Sequence, residues 1–169
     1  MKRKSLYYIV LTALFAALVM VFTAYIAHIP MPGTGGFVHF GDALVFLAAC
    51  LLPRPYAALA GALGAGLADL LSPIPAPAYV IPTVIVKACV ALCFSAKREK
   101  ILCARNALAL LPAGIITLGG YFLAEGLIYS WQAALLQSLT GNLVQWAGSA
   151  AGFAALGFAM DRAGLKKKI

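Results

Sequence analysis

Charge is what this sequence has least of. Only 11% of its 169 residues are Asp, Glu, Lys or Arg, and five are acidic, against 63% hydrophobic residues. An average soluble domain is about half apolar and about a quarter charged. Disorder is excluded, because it needs low hydrophobicity and many charges. A water-soluble fold of this size is excluded too, since a small domain leaves too much of its area exposed to hide so many apolar groups. Lipid is therefore the solvent for most of the chain, in keeping with a mean hydropathy of +0.95. Metal ligands are scarce as well. Cys89 and Cys93 stand one helical turn apart, but neither Cys50, Cys103 nor a nearby His completes a site, so the four cysteines read as small buried hydrophobes. No metal and no cofactor are expected. Gly-x-Ser-x-Gly, His-Glu-x-x-His and paired aspartates at helical spacing are all missing, which leaves an integral membrane enzyme as a weak alternative. Internal repeats and ionisable relays are missing too, so an autonomous small-molecule carrier is the other alternative. No cleavable signal peptide is expected, because the first apolar run is too long for one.

Long apolar runs are present in quantity. A crossing of the hydrocarbon core takes about 20 residues of helix. Six runs are candidates: residues 6–27, 40–52, 56–71, 79–94, 107–127 and 139–160, in a single membrane domain over 1–169. The expected fold is all-α, an integral bundle of six transmembrane helices. Runs two to four are short, as fits helices that stop below one membrane surface and leave a cavity there. The net charge of +8 is distributed in short clusters between apolar runs, which argues against a nucleic-acid partner. Lys2, Arg3, Lys4, Arg54, Lys97, Arg98, Lys100, Arg105, Arg162 and Lys166–Lys168 make twelve of the 13 basic residues, and all fall on one side of a six-span bundle. The positive-inside rule then puts both termini in the cytoplasm.

The remaining cation, Lys87, lies within the fourth run, where an ionisable group is costly and a partner is expected. Asp69 and Asp42 are candidate partners; a structural pair Asp69–Lys87 that fixes helix packing is the expectation, with ligand contact as the other reading. The connection from His28 to His39 holds two prolines and three glycines and has the make-up of a lid. Tyr121 and Glu125 share a helix face. Ser138, Asn142, Gln145 and Ser149 recur at intervals of four, three and four on one stripe, flanked by Trp146, while Tyr129 and Trp131 fall in the preceding connection. Amides in a lipid-embedded helix face protein or a wet cavity, so interhelical hydrogen bonding and ligand binding are both open. A small polar heteroaromatic ligand would use such amides beside aromatic rings. The outer loops hold no Lys or Arg, while Asp42, Asp69 and Glu125 lie near that face, which favours neutral or cationic ligands over phosphate esters. Small residues pack at four-residue spacing through 57–68 and at Ala13 and Ala17, where helices can approach closely.

Three blocks carry a family resemblance: Gly35-Gly36-Phe37-Val38-His39-Phe40-Gly41-Asp42-Ala43, then Gly61 to Leu71 with Asp69, then Pro82-Thr83-Val84-Ile85-Val86-Lys87. With Gly120 to Glu125 and Gly141 to Gln145, they make the chain resemble the substrate-binding S components of energy-coupling factor (ECF) vitamin transporters, in the riboflavin- or hydroxymethylpyrimidine-like branch. The resemblance implies a multi-pass protein of the prokaryotic cell membrane that performs no chemistry. It would capture a vitamin or precursor under the first loop and between helices four to six. It would then topple in the bilayer against a transmembrane scaffold driven by two cytoplasmic ATPases, with Ala13 and Ala17 on the docking side. The substrate-binding candidates are His39, Tyr121, Glu125, Asn142, Gln145 and Trp146, the last stacking on the ligand. A hydroxymethylpyrimidine or pyridoxine-like compound is the expected ligand.

Overall fold

The computed structural model describes residues 2–26, 28–30 and 37–168, with side chains from residue 5 to residue 166. The glycine-rich part of the expected lid, 31–36, and the side chains of residues 2–4, 167 and 168 lie outside the described residues. The fold is all-α. Each expected apolar run is a helix: α1 is Lys2–Tyr25, α2 Asp42–Leu51, α3 Arg54–Leu71 and α4 Val80–Leu92, the last entered through a 3-10 turn at Pro77–Tyr79. Two longer helices follow, α5 over Ala104–Ile128 and α6 over Trp131–Arg162. A two-residue antiparallel ribbon, β1 (Ile29–Pro30) with β2 (Phe37–Val38), sits between α1 and α2.

Three segments, Ser5–Tyr25, Ala104–Ile128 and Trp131–Arg162, are long and apolar enough to cross a bilayer unaided. By contrast α2 has ten residues and cannot, at 1.5 Å rise per residue. It is apolar all round and buried all round, as a helix of that composition should be. Val45, Phe46, Ala48 and Cys50 have no exposure at all. Helices α1, α3, α4 and α6 pack around it.

Small residues on α3 set the closest approaches. A Cβ on Gly64 would meet the Ala16 carbonyl at 2.6 Å and Val19 at 2.7 Å, so only glycine allows α1 to lie against α3 there. Ala16 is thus the alanine of α1 that packs inward, while Ala13 and Ala17 are exposed. Further along α2, Phe46, Phe94 and Phe153 form a ring cluster with centroids 5.0 to 5.9 Å apart, closing the bundle below the polar residues at the α2 N-terminus.

One boundary differs from expectation. Helix α6 starts at Trp131, eight residues before the expected Leu139, because the Ser130 hydroxyl caps it by accepting the Ala133 N–H at 3.2 Å. Trp131 is therefore helical and not part of a connection. Within α6 the turn Ser138–Asn142 is a π-helix, one residue wider than its neighbours.

Candidate functional site

The polar side chains gather at the end of the bundle where α2 begins. Asp42, in the first turn of α2, is the hub. Its Oδ2 accepts from Lys87 Nζ at 2.7 Å and from Gln145 Nε2 at 3.1 Å, all three groups being buried. The Gln145 Oε1 in turn accepts the His39 backbone N–H at 3.4 Å. The Lys87 ammonium lies 5.0 Å from the centre of the Tyr121 ring, a cation–π contact that helps offset its burial. Lys87 therefore pairs with Asp42, and the expected Asp69–Lys87 pair is corrected. Among the described residues Asp42–Lys87 is the one ion pair. The reason is positional: Asp42 opens the central helix that α4 packs against, whereas Asp69 lies in the last turn of α3 and lines a cavity.

That cavity is the candidate site. Two carboxylates, Asp69 and Glu125, line it with the amides of Gln137, Asn142 and Gln145, the imidazole of His39, and Tyr79, Thr83 and Tyr121. Among the described residues no lysine or arginine does. Asn142 Nδ2 lies 3.4 Å from each oxygen of Glu125, and the Thr83 and Tyr121 hydroxyls are 3.1 Å apart. Asp69 Oδ2 is buried with no hydrogen-bond partner among the described residues. Unsatisfied carboxylate oxygen beside a cavity marks a place where a donor is wanted. The cavity volume is about 30 Å³, room for a water and not for a ring.

His39 shows how firmly this end is closed. Its Nδ1 accepts the Gly41 N–H at 3.1 Å, which leaves the proton of the neutral ring on Nε2. Burial pushes its pKa down to about 4, with the Asp42 carboxylate opposing that shift only in part. The ring is therefore neutral at physiological pH. Phe37 and His28 stack beside it, 3.9 Å between centroids, so β1 and β2 deliver an aromatic cover to the site.

Five of the six expected binding residues, His39, Tyr121, Glu125, Asn142 and Gln145, come together in this lining. Trp146 does not, and its expected stacking role is corrected. Its indole N–H donates to the Leu110 carbonyl at 3.0 Å and its ring covers Gly114, so it packs α6 on α5. The physical reason is the helical step of 100° between Gln145 and Trp146, which turns one inward and the other toward α5. Sequence reasoning missed Gln137, Thr83 and Tyr79. Gln137 preceded the expected start of helix six, and its place in the lining depends on the wide turn that follows it. Tyr79 was read only as the first residue of its apolar run, yet it is buried against Tyr121 and Tyr129.

An all-helical bundle with a lipid-facing exterior and a charged, amide-rich pocket at one end is the architecture of a membrane-embedded binding protein. A family model described as ECF-type riboflavin transporter, S component, matches residues 3–162, and the chain belongs to that family. It is thus a membrane protein of vitamin transport, the substrate-binding subunit of an ECF transporter. No curated protein matches the sequence.

Proposed function

We propose that this chain captures a small neutral or cationic heteroaromatic vitamin or vitamin precursor, a hydroxymethylpyrimidine or pyridoxine-like compound, from outside a prokaryotic cell. One observation carries the reading: among the described residues the cavity lining joins two carboxylates, three amides and two tyrosines without a single cation. An amine or ring N–H finds acceptors at Glu125 and Asp69, and the amides of Asn142 and Gln145 read ring nitrogens and hydroxyls. A phosphate ester would find no counter-charge. Because the cavity holds only a water, binding requires movement. The long 3.4 Å contact between the His39 N–H and Gln145 is the natural point of release, freeing β2 with Phe37 and His39 from α6.

The cluster of cations at the opposite end supports a six-span topology with both termini in the cytoplasm, in one membrane domain over 1–169. The exposed face of α1 bearing Ala13 and Ala17 suits close docking on a transmembrane scaffold subunit, which two cytoplasmic ATPases drive as the loaded subunit topples in the bilayer.

Native mass spectrometry of protein purified from rich medium identifies the retained molecule, and calorimetry with hydroxymethylpyrimidine, pyridoxine and riboflavin ranks the candidates. Glu125→Ala and Gln145→Ala are each expected to weaken binding roughly 10–100-fold, the range for losing a hydrogen bond to a charged group. Unchanged affinity in both variants would sink the site. Retention of riboflavin in preference to the smaller rings would overturn the substrate while leaving the family intact.

A further inference from the structure

A second and larger cavity opens at the end of the bundle remote from Asp42. Its volume is about 580 Å³, and it lies between the first turns of α1, the α2–α3 turn, the segment after α4 and the C-terminal turn. Three cations line it, Arg54, Lys97 and Lys166, together with Tyr8 and Ser95, and among the described residues no carboxylate does. Arg54 begins α3 immediately after Pro53, and Lys97 follows α4 by a few residues, so two helix ends and the tail converge on one volume.

Lys166 is the informative member. Its Nζ is buried and has no hydrogen-bond partner among the described residues. Asp161 acts on it from longer range, but both oxygens of that carboxylate are taken by the Ile101 and Leu102 N–H groups at 2.8 Å. Burial pulls the Lys166 ammonium below its ordinary pKa, as expected for a cation with no close counter-charge. An unpaired buried charge is costly, and the residue that carries this one lines an open volume together with two further cations. The apolar side of the same volume is supplied by Leu51 and Leu52.

We infer that this cavity is an anion site for a phosphate group, shaped for the phosphodiester of an anionic lipid. The juxtaposition of three cations with an apolar wall distinguishes a lipid headgroup and its glycerol from free phosphate, which would need the cations alone. The cavity also belongs to the end where the basic residues cluster, and the cytoplasmic leaflet that such an end meets is rich in anionic lipid. Arg54 offers the planar fork that matches phosphate oxygens, while Lys97 and Lys166 act as point charges.

The test uses the full chain in detergent and in nanodiscs. Native mass spectrometry counts retained phosphatidylglycerol against phosphatidylcholine in the wild type, in Arg54→Gln, Lys97→Gln and Lys166→Gln, and in the control Arg98→Gln/Lys100→Gln, whose two cations lie on the same face outside the cavity. Phosphatidylglycerol is expected to be retained selectively, with each cavity variant weakening it about fivefold and the control leaving it unchanged. Lys97 is exposed, so its variant folds whether or not Lys166 contributes to stability. A parallel titration with inorganic phosphate, read as a rise in melting temperature lost in the cavity variants, would assign the site to free phosphate and keep the anion proposal. Equal retention of the two lipids with no phosphate effect, or equal losses in control and cavity variants, overturns it. So does unchanged lipid retention accompanied by loss of assembly with a partner subunit, which would give the cavity to an acidic protein segment.

Discussion

The two ends of this bundle solve the problem of polar groups in a membrane protein in opposite ways. At the end where α2 begins the cavity is about 30 Å³ and acid-rich, and the nearby cation Lys87 is paired with Asp42. At the other end the cavity is about 580 Å³ and basic, and its buried ammonium has no hydrogen-bond partner among the described residues. The first end closes around a volume that fits only a water and must open to take a ligand. The second is open already. Between them the Phe46–Phe94–Phe153 cluster keeps the two chemistries apart.

The sharpest way to break this contrast is to remove one half of the buried pair. Asp42→Ala or Lys87→Met should each destabilise the fold by about 3–5 kcal/mol, because each leaves an uncompensated charge in the core. The double variant should recover much of that loss, as read from melting in detergent. Single variants that melt like the wild type would show that the hub is not held in the core.

Next in size is the response to acid. The folded pKa of His39 is about 4 against an ordinary 6.5, so the folded state binds fewer protons than the unfolded state between those values. Stability at this residue is fully present above about pH 6.5 and is lost as the pH falls toward 4, a difference of about 3 kcal/mol. His39→Gln should flatten the melting profile across that window, whereas a slope unchanged by the substitution would trace acid sensitivity to other groups. Gly64→Val should cost about 1–3 kcal/mol by forcing α1 off α3, measured in the same melts. The smallest expected effect concerns ligand: Trp146→Phe should lower the melting temperature while leaving affinity within about twofold, since the indole packs α5 and lies outside the site. A large affinity loss would return Trp146 to the binding residues.

Much of this was legible from residue types and spacing. The six apolar runs became helices because 63% hydrophobic residues in long blocks have few other ways to satisfy their backbone in lipid. Tyr121 with Glu125, and Asn142 with Gln145, were found together because i, i+4 and i, i+3 spacing puts residues on one helix face. Other features were not legible. Asp42 and Asp69 are equivalent candidates in sequence, and nothing local says which of them α4 will meet. Gln137 enters the lining immediately before a π-turn over Ser138–Asn142, and no residue in that stretch announces a widened turn.

Composition, charge placement and helical periodicity are local or summed properties, so they sufficed for lipid as the solvent, the all-α class and the face on which the amides lie. Which carboxylate neutralises Lys87, which way Trp146 turns, and how the cations of three distant segments come to share one cavity depend on how helices pack at particular angles and depths. Such choices are made between residues 32 to 112 positions apart in the chain, by close approaches like that of Ala16 to Gly64, and no reading along the sequence contains them.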